Sequence, residues 1–183
     1  EPFVSVCKKY SFIDLLSIDL TSGHTLSDLS YLYKVADTFL KPTAASKILH
    51  MYNPSLFPIW DRYMRNNLYR TTGHNPGQYV RWLSMMQEEL NLVICSTIAE
   101  FSLSKSSALN KIIQLDNPTC SLLRIMDKVN YNNSRSSLGV QSVKKVIRDI
   151  HKDQNEGGCN MVARVRASGG KIDTGLKLSE FIR

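Results

Sequence analysis

From Leu26 to Phe101 the apolar residues recur at helical rather than alternating spacing, and that period confines the chain to a mainly α fold. Leu26, Leu29, Leu32, Tyr33, Val35, Ala36, Phe39 and Leu40 form one apolar face. Thr25 and Asp28 stand ahead of them in capping-box spacing, and Lys41-Pro42 marks the end. A second helix is expected from about residue 43 to Tyr52, where Asn53-Pro54 stops it, because the residue before proline is pushed out of helical geometry. Pro54 and Pro58 then frame Ser55-Leu56-Phe57 as a short extended segment. Asp61 follows Ile59-Trp60 as the N-cap of a helix over 61–69.

Farther along, Tyr79, Val80, Trp82, Leu83, Met86, Leu90, Val93, Ile98 and Phe101 predict a long helix, bent or broken near residues 91–96. Shorter helices are expected at 106–114 and 119–129, with a polar loop at 130–137. Val140, Val143, Val146, Ile147 and Ile150 predict a further helix over 138–152, with Lys144, Lys145 and Arg148 on its other face. After residue 155, Gly157-Gly158 and Gly169-Gly170 bracket a stretch, Met161 to Arg166, that alternates apolar and basic residues. The expected organisation is a compact helical domain over 1–155 and a small irregular or β, basic appendage over 156–183.

At 183 residues and 43% hydrophobic composition the chain is long enough for a buried core. No run of about 18 uninterrupted apolar residues offers a membrane span. Cys7, Cys95, Cys120 and Cys159 stand singly, without the paired spacing of a zinc or cluster site, and read as reduced thiols of a cytoplasmic protein. No metal or cofactor is expected: the sequence holds no phosphate-binding glycine loop, dinucleotide fingerprint, His-Glu-x-x-His or Gly-x-Ser-x-Gly.

The net charge of +7 is unevenly placed. Residues 1–40 carry three Lys/Arg against five Asp/Glu, residues 41–100 six against four, and residues 101–183 fourteen against seven. A basic late chain is the electrostatic footprint expected of a protein that binds nucleic-acid phosphates, although it serves solubility equally well. Arg62, Arg65, Lys144, Lys145, Arg148, Arg164 and Arg166 are the candidate contacts, with Tyr63 between the first two.

The stretch Ala44-Ala45-Ser46-Lys47, followed by Phe57-Pro58-Ile59-Trp60-Asp61, resembles a set of uncharacterised helical proteins with an Ala-Ser-Lys helix and a Phe-Pro-Ile-(Trp/Tyr)-Asp segment. Tyr79-Val80-Arg81-Trp82-Leu83 and residues 122–131 extend that likeness over about residues 25–131. More remotely, the order of elements is similar to the helix-hairpin-helix DNA glycosylase superfamily. There a lysine-bearing helix is followed by a loop and by an aspartate that opens the next helix. The resemblance implies two catalytic residues, Asp61 stabilising an oxocarbenium-like state or activating the nucleophile, and Lys47 attacking the sugar C1′ to form a Schiff base on a flipped nucleotide.

Two features depart from that superfamily. The segment that would form the hairpin, Leu40-Lys41-Pro42-Thr43-Ala44, holds no glycine, and the Lys-to-Asp separation is short. The residues alone therefore leave three roles in play: a divergent base-excision enzyme, a non-catalytic module that binds DNA or another nucleic acid, and a helical component that binds a protein partner in a defence or mobile-element system. For Asp61 the plain alternative to catalysis is helix capping, and for Lys47 it is a solvated helix position.

Overall fold

The computed structural model describes residues 2–68, 75–116 and 120–135. Within them the chain is helical, and no strand occurs among the described residues. The helix expected over 138–152, the alternating stretch at 161–166 and the boundary at residue 155 lie outside the described residues. The chain divides into two compact units, Glu1–Gln87 and Glu88–Arg183.

The first unit begins with α1 (Pro2–Lys9), a helix that the apolar spacing did not indicate. Between it and α2 (Gly23–Phe39) the chain runs as turns that bury Leu15, Ile18 and Leu20. Asp14 closes one turn by accepting from the amides of Leu16 and Ser17, both at 2.9 Å, and Asp19 closes another through Thr21. The carbonyls of Leu15 and Ile18 are satisfied from outside, because Gln87 donates its Nε2 to both at 2.6 and 2.9 Å.

α2 buries Leu29, Leu32, Tyr33 and Ala36, the face expected from the sequence. Its start corrects the expected capping box. The helix opens at Gly23 with Ser22 as N-cap, so Thr25 and Asp28 are already inside it. Asp28 instead reaches α1 and its C-terminal flank, pairing with Lys9 Nζ at 2.6 Å and accepting from Tyr10 Oη at 2.9 Å. A carboxylate with two tertiary donors has no reason to fold back on its own backbone.

α3 (Pro42–Tyr52) follows directly, with Pro42 at the first helical position, where its missing N–H costs nothing. It buries Ala45, Ser46 and Leu49 and ends at Asn53, whose amide bonds Leu49 O at 3.0 Å. The segment expected to be extended at 55–57 is a tight turn. Asn53 O accepts from Leu56 N at 3.2 Å and Phe57 N at 3.0 Å, while Asn53 Oδ1 accepts from Ser55 N at 3.0 Å. The asparagine side chain supplies a local turn that a pattern of apolar residues between prolines does not reveal.

α4 (Pro76–Phe101) opens on Asn75, whose Oδ1 takes the Gln78 amide at 2.9 Å. The helix is unbroken through 91–96, where a bend or break was expected. Asn91 is exposed and does not interrupt it, and just beyond this stretch Thr97 Oγ1 bonds the helix's own Val93 O at 2.8 Å. The helix ends on Ser102 at φ 52°, with Leu103 N bonded to Ile98 O at 3.2 Å. This is a Schellman closure with serine where glycine is usual.

In the second unit α5 (Lys105–Asp116) is capped by Ser104, whose Oγ accepts from Ser107 N at 3.2 Å, and buries Ala108 and Ile112. α6 (Leu122–Arg135) starts on Ser121, which accepts the Arg124 amide at 3.2 Å. It buries Leu123, Ile125, Met126 and Val129. The loop expected at 130–137 is helix as far as Arg135. Two of the polar residues there are buried: Asn130 Nδ2 donates to the buried Glu89 at 3.0 Å, and the Ser134 hydroxyl bonds Tyr131 O at 2.6 Å.

No helix among the described residues is long and apolar enough to cross a membrane. Cys7, Cys95 and Cys120 are free thiols, and burial pushes those of Cys7 and Cys95 upward. Cys159 lies outside the described residues.

Candidate functional site

The loop from Asn53 to Asp61 is held from α3. Ser46, fully buried, donates its hydroxyl to Thr43 O and accepts the Trp60 amide, both at 3.0 Å. One turn on, His50 Nδ1 meets Phe57 O at 2.7 Å; a carbonyl can only accept, so that nitrogen carries the proton. Asn53 secures the other flank by donating Nδ2 to the carbonyls of Tyr10 and Ile13, each at 2.8 Å. Two side chains of α3 and the asparagine that ends it thus fix the loop's path.

Trp60 anchors the loop's far end in an aromatic cluster. Its ring meets Tyr33 edge-on at 5.8 Å, Tyr79 at 5.6 Å and Trp82 at 6.0 Å, and Tyr33 stacks on Tyr79 at 4.2 Å. All four rings are buried. Rings at these separations gain contact energy beyond the area they remove from water. Tyr33 Oη and Trp60 Nε1 are buried within it without a hydrogen-bond partner. Burial holds the Tyr33 hydroxyl far above the ordinary phenol range, with Asp37 adding to the shift and Arg65 opposing it.

Asp61 emerges from this anchor. Its Oδ1 accepts from Tyr63 N at 2.7 Å and Met64 N at 3.0 Å, and its carbonyl accepts from Arg65 N at 3.0 Å. This is N-capping geometry, as the sequence indicated. The helix it starts, expected over 61–69, is described as far as Leu68: after Arg62 and Tyr63 it widens into a π-helical turn, Met64–Leu68, which carries the poor helix formers Asn66 and Asn67. Among the described residues the second carboxylate oxygen of Asp61 accepts no hydrogen bond.

The two arginines that flank this cap have different surroundings. Arg65 turns inward. It donates Nη1 to Trp60 O at 2.8 Å and reaches Thr43 Oγ1 at 3.5 Å, and its guanidinium lies 5.4 Å from the Trp60 ring centre. Arg62 is exposed, its guanidinium carbon 5.6 Å from the ring of Tyr63, which is itself exposed. Lys47 also stands in solvent, on the face of α3 away from Ala45 and Leu49. No ion pair or hydrogen bond joins it to Asp61. Lys144, Lys145, Arg148, Arg164 and Arg166 lie outside the described residues.

Ser46, His50 and Asn53 were not singled out in the sequence as holding this loop. Asn53 at a helix end before proline was the one legible signal, since asparagine there commonly turns its side chain onto the backbone. Among the described residues no group of three His, Cys, Asp or Glu side chains is placed to hold a metal ion. No protein-family model matches the chain, and neither curated proteins nor solved structures include a match.

Proposed function

We propose that the chain is a nucleic-acid-associated helical protein that binds DNA or another nucleic acid without cutting it, through the exposed Arg62–Tyr63 pair. The observation that carries this reading is the pairing itself: a solvent-facing guanidinium over a solvent-facing phenol ring, held at the start of a turn that Asp61 caps and Trp60 anchors. Such a pair offers a phosphate contact beside an aromatic ring. The chain's net charge of +7 supports it.

The resemblance to the glycosylase superfamily supplies a second reading, in which Asp61 and Lys47 act on a base or sugar. It draws on the second carboxylate oxygen of Asp61, which accepts no hydrogen bond among the described residues. A single pair of assays separates the readings. Labelled single strands and damaged duplexes are titrated by anisotropy, then tested for strand cleavage and borohydride trapping, with the natural chain and with Asp61→Asn and Lys47→Gln. Binding that survives Asp61→Asn, with no cleavage or trapped adduct on any substrate, is the expected result. Cleavage abolished by Asp61→Asn would establish the enzymatic reading instead. A cytoplasmic location accords with either.

A further inference from the structure

The first unit presents an apolar face outside the Arg62–Tyr63 pair. Phe12 is 100% exposed, Met51 79%, Ile48 48% and Tyr52 42%. The backbone that carries Phe12 is held beside the helix that carries the other three. Ser11 Oγ meets Tyr52 Oη at 2.5 Å, and Asn53 clamps the carbonyls of Tyr10 and Ile13 at 2.8 Å, so the segment bearing Phe12 is pinned against the end of α3. Ile48, Met51 and Tyr52 are one helical turn of each other on that same helix.

A fixed loop that holds a phenylalanine wholly in water pays its hydration cost for no intramolecular contact. That arrangement fits an anchor for something else. The charge around it indicates what. Neither α1 nor α3 contains an aspartate or glutamate. Exposed Lys47 lies one turn before Met51, and exposed Lys8 offers its carbonyl to the Ser11 amide. Asp14, exposed two residues from Phe12, keeps its negative charge while accepting from the amides of Leu16 and Ser17, and Lys9 is paired with Asp28, which leaves Lys8 and Lys47 as the cations outnumbering it.

We propose that Phe12, Ile48, Met51 and Tyr52, flanked by Lys8 and Lys47, form a docking surface for an acidic amphipathic helix of a partner protein. Apolar side chains at i, i+3 and i+4 make a ridge that another helix's apolar stripe covers, and the lysines meet carboxylates on its flanks. A second copy of this chain is a poorer occupant, since a two-fold pairing would set these lysines against their own equivalents. Nucleic acid is also poorer, because the face offers four apolar side chains and no arginine.

The test uses the whole chain and a fluorescent helical peptide with leucines along one face and glutamates along the other. Its controls are a scrambled peptide of the same composition, a version with lysine for glutamate, and a labelled DNA duplex. The acidic amphipathic peptide should bind saturably. Phe12→Ala and Met51→Ser should each weaken it by about tenfold or more, while duplex affinity and the urea midpoint stay unchanged because both side chains are solvent-facing. Equal binding of the scrambled or lysine peptide, indifference to Phe12→Ala, or no binding of the acidic peptide would overturn the proposal. So would a dimer of the natural chain in sedimentation that Phe12→Ala dissolves, or duplex affinity that falls with the same two variants.

Discussion

Replacing Asp61 by alanine and by asparagine separates a helix cap from a catalytic carboxylate. The alanine variant loses an acceptor that holds two backbone amides, those of Tyr63 at 2.7 Å and Met64 at 3.0 Å. Removing such a cap costs about 1 kcal/mol, within a span of about 0.5–2. Asparagine presents an oxygen to the same amides and forfeits only the interaction of a negative charge with the helix start, so its cost stays below about 0.5 kcal/mol on so short and exposed a helix. Urea unfolding followed by tryptophan fluorescence is the assay. The chain's two tryptophans, Trp60 and Trp82, are both buried in the first unit, so the signal reports that unit directly. With a slope of about 1–2 kcal/mol per molar urea, Asp61→Ala should lower the midpoint by about 0.5–1 M, and Asp61→Asn by much less. A midpoint unmoved by alanine, or lowered equally by both, would refute capping as the role of this residue.

Asn53→Ala removes three hydrogen bonds at a buried position, to Tyr10 O, Ile13 O and Ser55 N, and should cost about 3 kcal/mol in the same urea experiment; a loss under about 1 kcal/mol would contradict the clamp. Lys9, with Tyr10 second among the donors, holds the Asp28 carboxyl below its ordinary value, so the folded state favours the ionised form. That stabilisation is present above the ordinary carboxylate pKa of about 4 and is lost as pH falls below it. Acid titration should therefore show a shallower decline for Asp28→Asn than for the natural chain, and identical profiles would remove the pair from the stability account. Ser102→Gly relieves a left-handed residue at φ 52° and should raise the melting temperature, with about 1 kcal/mol of stabilisation; a fall would mean that the serine makes an offsetting contact.

The helices could be read where one residue type faced one environment. Leu29, Leu32, Tyr33 and Ala36 repeat at helical spacing because each meets the core, and Asp61 stood where an aspartate caps. Reading failed where polar side chains bond across the fold. Asp28 looked like half of a capping box, but its donors are 19 and 18 residues away in Lys9 and Tyr10. Asn130 and Ser134 looked like loop residues because their burial depends on Glu89, 41 residues before Asn130, and on bonds inside the helix. The candidate site shows the same division. Its cap was visible, whereas the inward turn of Arg65 onto Trp60 O and Thr43 was not, since no local pattern separates an arginine that buttresses a loop from one that faces solvent.

The salt dependence of binding to a labelled oligonucleotide, compared between the natural chain and Arg62→Gln, tests the proposed function most directly. Nucleic-acid binding through phosphates predicts an affinity that falls steeply with salt. Loss of one contact should lower the slope of log K against log salt by about 0.9 on duplex DNA or about 0.7 on a single strand. An affinity indifferent to salt, or a slope that Arg62→Gln leaves unchanged, would contradict it.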